Sequence, residues 1–277
     1  MKKLKIAFCW FWPRASEIFD NWRDGLRAAL EVISKKHEIT WFFDCKLPEN
    51  YNDFDFCLFW GDSNLEPLSK LPAGKCRYGL CLSTNPTNID NLRKLDVIFC
   101  ESQIVLREVK NTGLRGILAF GTDIDFYKPD LTVKKDIEYF YPATFSPWKR
   151  QSEIAYLGNK LLCVGTVQPD GQQELVKCQE TGVRIEEGYF PAEKIRDYYR
   201  RAQNVIIPAI HGSERTVLEA LACDILPDVT NPENAKTNSY IREYQLSNAK
   251  SPRHFILKNY SHRVYAHALL KGIENVS

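Results

Sequence analysis

Short apolar runs alternate with longer amphipathic segments along this chain, and they do so in two successive blocks. The first block holds LKIAFCWF, HEITWFF, FDFCLFW, CRYGLCL, DVIFC and LRGILAF; the second holds IEYFYPA, KLLCVGTV, VRIEEGYF and NVIIPAI. Apolar runs of about four to eight residues fit strands buried on both faces of a parallel sheet. Between them, a segment from Ser16 to Lys36 sets Ile18, Trp22, Leu26, Ala29, Leu30 and Ile33 on one helical face. QIVLREVKNTG, a segment from about Trp148, ELVKCQETG, a segment opened by Pro191 and a segment carrying Glu219 also read as helices. Strand and helix in alternation mean a parallel sheet covered by helices on both faces. Two such blocks predict an α/β chain of two Rossmann-like, doubly wound domains with a cleft between them.

A chain of 277 residues, 44% apolar, can bury two modest cores. Its net charge of +2 carries no strong signal for nucleic acid or membrane. Nine cysteines occur without a single CxxC, and several lie inside apolar runs, so they read as buried thiols in a reducing compartment and not as disulfides or a zinc site. The start MKKLKIAFCWFW reaches Pro13 with no small-residue cleavage site, and no apolar run reaches membrane-spanning length. These features predict a soluble cytoplasmic protein without a transmembrane segment.

The chemistry concentrates between Ala209 and Thr230, AIHGSERTVLEALACDILPDVT. An apolar strand ending at Ile210 leads through a short Gly/Ser loop into an apolar-faced helix starting near Thr216. Unpaired N–H groups at such a helix start, together with the helix dipole, favour a phosphate. Glu219, one turn in, is placed to accept hydrogen bonds from a ribose.

HGSERTVLEALACDILPDV resembles the donor-nucleotide segment of retaining GT-B glycosyltransferases, in the large family that includes sucrose synthases and bacterial mannosyltransferases. That family writes Glu, seven residues, Glu, then Ala-hydrophobic-Ala. Glu219 and the Ala220-Leu221-Ala222 tail match; His211 stands where the first glutamate belongs, followed by Gly212 and Ser213. FGTDIDFYKP resembles the family's interdomain segment through Gly121, Asp123, Phe126 and Pro129. YPATFSPWKRQSEIAYLG resembles the stretch in which relatives keep an arginine and a lysine for the donor diphosphate: Lys149 takes the lysine position, Thr144 the arginine position, with Arg150 nearby. The resemblance implies a compact glycosyltransferase moving a sugar from a nucleotide-diphosphate sugar with retention. It assigns Lys149 and His211 to catalysis, and Glu219, Gly212, Ser213, Glu214, Arg215, Thr216, Arg150 and Thr144 to the donor. It divides the chain into an acceptor domain (1–122), a donor domain (123–258) and a closing helix (259–277) that is a candidate to pack back on the first domain.

Departure of a diphosphate needs positive charge, from a metal or from cations and helix N-termini. Lys149, Arg150 and the helix start near Glu214 can supply the second, so no metal and no other cofactor is expected. Of the two D-x-D triplets, Asp53-Phe54-Asp55 precedes an apolar strand and reads as a turn cap, and Asp123-Ile124-Asp125 belongs to the polar, Pro-containing linker. In the N-terminal half, Trp12 and Arg14 after the first strand, and Asp62 after the FDFCLFW strand, are the acceptor candidates. His37 reads as structural. Three readings stay open: a transferase with a glycan, small-molecule or protein acceptor; the same fold acting on a modified base in nucleic acid; and a non-catalytic nucleotide-sugar or glycan-binding module.

Overall fold

Each of those apolar runs is a strand in the computed structural model, which describes residues 3–11, 15–44, 46–210 and 214–276. The chain forms two units, Met1–Gly121 with Tyr260–Ser277, and Thr122–Asn259. In the first unit β1 (Lys5–Trp10), β2 (Glu38–Phe42), β3 (Phe56–Gly61), β4 (Arg77–Leu82), β5 (Val97–Cys100) and β6 (Gly116–Leu118) pair in parallel in the order β2-β1-β3-β4-β5-β6. Every residue from Phe56 to Phe59 and from Val97 to Cys100 is buried, as a sheet covered on both faces requires. Between these strands lie α1 (Ala15–Ile18), α2 (Gly25–Ser34), α3 (Ile89–Leu92) and α4 (Gln103–Asn111).

The helix expected over Ser16 to Lys36 is interrupted. A short 3-10 turn over Phe19–Asn21 gives way to extended backbone at Trp22, and α2 starts afresh with Asp24 as its N-cap, accepting the Arg27 N–H at 2.9 Å. Asp followed by Gly is a strong helix-start signal, and it overrides the continuous apolar face. The break lets Trp22 lie against Trp10 (centroids 4.4 Å apart) and Trp60 (5.5 Å), while Arg27 bonds the Trp22 carbonyl at 2.8 Å.

The second unit repeats the plan with β7 (Ile137–Pro142), β8 (Leu161–Gly165), β9 (Arg184–Glu187), β10 (Ala202–Ile207) and β11 (Asp228–Val229), all parallel, in the order β11-β10-β7-β8-β9. Its helices are α5 (Gln172–Glu180), α6 (Ala192–Arg201), α7 (Glu214–Ala222), α8 (Pro232–Thr237), α9 (Ser239–Leu246) and α10 (Pro252–Asn259). The segment from Trp148 is a 3-10 stretch over Gln151–Lys160 and not an α-helix, with Gly158 breaking it at φ 55°. The last helix, α11 (His262–Glu274), belongs to the first unit and packs on α2.

Residues 122–136, polar and Pro-containing, are fastened to the second unit and are no slack tether. Arg201 grips Asp136 with two bonds of 2.8 and 2.9 Å, Arg200 bonds the Lys128 carbonyl at 3.2 Å, and Arg253 bonds the carbonyls of Ile124 (3.1 Å) and Tyr127 (3.0 Å). No helix among the described residues is long and apolar enough to cross a membrane, and the eight described cysteines are free and buried.

Candidate functional site

The strand order of the second sheet fixes where a ligand can sit. From β7 the chain steps to β8 and β9 on one side, then returns to place β10 on the other, so the topological switch lies between β7 and β10. Loops at the carboxyl ends of strands flanking such a switch diverge and leave a crevice. The β7 loop carries Thr144, Lys149 and Arg150; the β10 loop leads into α7.

Several contacts hold these loops in register. The Ile210 N–H donates to the Trp148 carbonyl at 2.9 Å, tying the β10 loop to the residue before Lys149. Thr216, in the first turn of α7, donates through Oγ1 to the Pro142 carbonyl at the end of β7 (3.5 Å), so the helix starts beside that strand's end. The strand itself stops at Ile207 and the helix begins at Glu214, against Ile210 and Thr216 read from sequence. Pro208 ends the ladder, because proline has no N–H to give it.

Lys149 is half-buried, and burial pushes its ammonium below the usual 10.5; Arg215 pushes the same way and Glu214 opposes. These influences bring Lys149 of the β7 loop together with two consecutive residues of a distant segment, Glu214 and Arg215 at the start of α7. Arg150 takes the left-handed conformation (φ 52°) and pairs with Glu153 at 2.6 Å, so its guanidinium is engaged on the 3-10 stretch. Thr144, exposed to solvent in part, shares a 2.5 Å hydrogen bond with Thr166 of the β8 loop.

Glu219 is buried on α7, and its Oε2 accepts the Tyr199 hydroxyl at 3.1 Å. Burial, and then the Glu219 charge, hold the Tyr199 phenol well above its usual range, so it stays a donor. Tyr199 was not legible as a site residue: in DYYRR it looks like one side of an amphipathic helix. The spacing of twenty residues between a helical tyrosine and a helical glutamate is visible only once α6 and α7 are packed.

Two further residues support the β7 loop. Gln151 is fully buried and its Nε2 donates to the carbonyls of Ala143 (3.3 Å) and Thr144 (2.9 Å). Gly165 and Gly171 let the β8 loop touch it backbone to backbone, since a Cβ would lie 2.3 Å from the Ala143 oxygen and 2.0 Å from the Phe145 oxygen respectively. At the far end of α7, Asp224 turns left-handed (φ 63°) and Arg253 donates to the Ala222 carbonyl at 2.6 Å. Charge and hydrogen bonding at that end complement the dipole that makes the start of α7 electropositive.

His211, Gly212 and Ser213 lie outside the described residues, as do Trp12 and Arg14. Asp62 is exposed at the end of β3, beside the switch between β1 and β3, and its Oδ1 accepts the Asn64 N–H at 2.6 Å. Next to it, buried Ser63 accepts the N–H groups of Thr87 and Asn88 at 3.0 Å and clasps two loops at that edge. Of the aspartate triplets, Asp53 accepts from the Asn50 amide (2.8 Å), Asp55 from the Lys5 N–H (2.9 Å), and Asp123 from the N–H groups of Asp125 (3.1 Å) and Phe126 (3.2 Å). His37 is buried and its Nδ1 accepts the Leu4 N–H at 3.2 Å.

No protein-family model and no curated protein matches the chain. Solved structures do. AviGT4, a glycosyltransferase involved in avilamycin A biosynthesis, superposes with a TM-score of 0.62 at 12% identity, with 99% of this chain and 98% of that chain covered. A trehalose-6-phosphate synthase studied for glycosyl transfer with retention gives 0.62 at 11% identity, covering 99% and 100%. An alpha-glucosyltransferase in complex with UDP and a 13-mer DNA containing an HMU base gives 0.59 at 11% identity, covering 99% and 100%. The fold is GT-B. Coverage of nearly the whole chain includes the N-terminal half, where sequence resemblance is weakest.

Proposed function

We propose that this GT-B chain is a glycosyltransferase that binds a nucleotide-diphosphate sugar at the β7/β10 switch and passes the sugar to an acceptor with retention, without a metal. The observation that supports this reading is that the half-buried Lys149 lies beside Glu214 and Arg215 at the start of α7, the helix whose second turn carries the buried carboxylate of Glu219. A diphosphate leaving group gains charge as the glycosidic bond breaks, and fixed cations in a partly desolvated site stabilise that charge best. Lys149 and Arg215 supply the cations, and the first-turn N–H groups of α7 supply aligned donors. Glu219, held by Tyr199, is the acceptor for the ribose hydroxyls. Arg150, paired with Glu153, contributes to the local field and not through a direct contact, and Thr144 contributes a hydroxyl where the family carries an arginine. His211 is the proposed replacement for the glutamate near the donor sugar, and Asp62, Trp12 and Arg14 remain acceptor candidates.

The test is release of nucleoside diphosphate from UDP-glucose, UDP-N-acetylglucosamine and GDP-mannose in the presence of a chelator. Turnover of one donor that survives chelation and is lost in Lys149→Ala is the expected result. Turnover that vanishes in chelator and returns with manganese or magnesium contradicts the metal-free mechanism. Donor binding without turnover under any acceptor mixture favours the non-catalytic binding module instead.

A further inference from the structure

Beyond Glu219, the chain returns to the β10 loop through α8 and then turns into α9. Asn231 caps α8 in the ordinary way, its Oδ1 accepting the N–H groups of Glu233 (3.1 Å) and Asn234 (3.2 Å). Asn234 is buried and its Nδ2 donates to the Ala209 carbonyl at 2.9 Å, so this face of α8 lies directly against the β10 loop. Asn238 follows four residues on, with its N–H donating to the Asn234 carbonyl at 2.7 Å. Four residues are one helical turn, which puts Asn238 above Asn234 on the same face.

Asn238 is also the N-cap of α9, an eight-residue helix that packs on α7. Asparagine at this position normally accepts a first-turn N–H. Here its side chain makes no capping bond. Although Asn238 is 4% exposed, neither its Oδ1 nor its Nδ2 has a hydrogen-bond partner, and the neighbouring Ser239 Oγ is likewise buried and unpartnered. A buried polar group left unpaired costs free energy that a fold does not retain without return. Three such atoms therefore gather at one helix start, one turn beyond the Asn234 that bonds the β10 loop.

We propose that this corner is a subsite for the hydroxyl groups of the transferred sugar, with Asn238 and Ser239 as its hydrogen-bonding groups; the proposal rests on the donor reading above. The mix of atoms decides the ligand class. A carboxamide offers two N–H donors and one acceptor oxygen, and a serine hydroxyl both donates and accepts. A phosphate or carboxylate accepts only, and would face the Asn238 oxygen with its own negative charge. A neutral sugar hydroxyl donates and accepts, and satisfies both ends of the amide. The subsite thus reads the sugar and leaves the nucleotide to Glu219 and α7.

Calorimetric titration separates these roles. UDP, GDP, UDP-glucose, UDP-N-acetylglucosamine and GDP-mannose are titrated into the parent protein, Asn238→Ala, Asn238→Leu and Ser239→Ala, all in chelator. In the parent, at least one nucleotide sugar binds more tightly than its bare nucleoside diphosphate. Asn238→Ala and Asn238→Leu weaken that nucleotide sugar about tenfold and Ser239→Ala about threefold to fivefold, while the affinity for UDP or GDP is unchanged. Asn238→Leu also raises the thermal midpoint of the unliganded protein, because it removes two unpaired buried atoms at similar volume. Equal loss of nucleoside diphosphate and nucleotide sugar, no loss of either, or a lowered midpoint in Asn238→Leu overturns the subsite and leaves the donor reading standing. A parent protein that binds none of the five ligands overturns the donor reading, and the subsite with it.

Discussion

At the residue scale the account leans on two charged side chains that the fold removes from water. Glu219→Gln keeps the size of the side chain and removes its charge, so it weakens ribose recognition and the Tyr199 bond together. A charge-assisted hydrogen bond contributes about 1.5 to 3 kcal/mol, and the expected result is a KM for the donor raised roughly tenfold or more with kcat nearly unchanged, since the ribose is bound alike in ground and transition states. Tyr199→Phe separates the two effects. It leaves the carboxylate in place without the phenol that donates to it at 3.1 Å, and the account predicts a lowered thermal midpoint with a smaller loss of affinity. Lys149 gives a signature in pH. Its pKa is held below 10.5 chiefly by burial, so the unfolded chain binds more protons in the window between the two values. The cost of burying the charged form is full below the folded pKa and disappears as pH rises toward 10.5. A bound diphosphate favours the charged ammonium, so nucleoside-diphosphate affinity falls as pH rises through that window, and the alkaline limb is absent in Lys149→Ala. Both residues were legible in the sequence, because each stands at a spacing from recognisable neighbours. Tyr199, Gln151 and Asn238 were not, because their roles come from partners or their lack of partners across helix and loop boundaries.

At the scale of elements, the crevice depends on two loops that lie closer together than side chains allow. Gly171→Ala would put a methyl group 2.0 Å from the Phe145 carbonyl oxygen, a clash with backbone that only a shift of the β7 loop relieves. Overpacking of this kind costs about 1 to 3 kcal/mol. Differential scanning calorimetry should show a lowered midpoint, and titration should show weakened nucleoside-diphosphate binding, because the shifted loop carries Lys149. Arg253→Ala acts from the other end of α7 by freeing the Ala222 carbonyl and the carbonyls of Ile124 and Tyr127; the expected effect is on stability, with little change in kcat. The strands β1 to β10 were legible from apolar runs, most clearly where burial is complete as in β3 and β5, whereas the two-residue, partly exposed β11 was not. The helix over Ser16 to Lys36 was misread because its apolar face continues across the break at Trp22, which hides the N-cap signal of Asp24 within an otherwise helical pattern. The stretch after Trp148 was misread because Arg150 adopts positive φ, which its residue type does not announce, and because Gly158, a residue type that favours positive φ, breaks the run near its end.

At the scale of the whole molecule, two parallel sheets with different strand orders place one switch point in each unit, and the chemistry that sequence alone identifies falls at the second. The fold agrees with solved GT-B structures over almost the full length at identities near one in ten, which is the level at which architecture persists and side-chain chemistry must be argued site by site. That separation explains why the donor candidates rest on a motif and its spacing, while the acceptor candidates Trp12, Arg14 and Asp62 rest only on their position after a strand. Phosphate and ribose impose a fixed loop-helix arrangement, whereas an acceptor is met by whatever side chains a loop presents. The central claim is that a nucleoside diphosphate is held, without metal, by Lys149, the start of α7 and Glu219. Isothermal titration of UDP and GDP into the parent protein, Lys149→Ala and Glu219→Gln, in chelator and with folding verified by circular dichroism, tests it most directly. The account predicts saturable binding of one of the two nucleotides to the parent and a loss of about tenfold or more in each variant; binding that requires a divalent metal, or affinity that is the same in all three proteins, would contradict it.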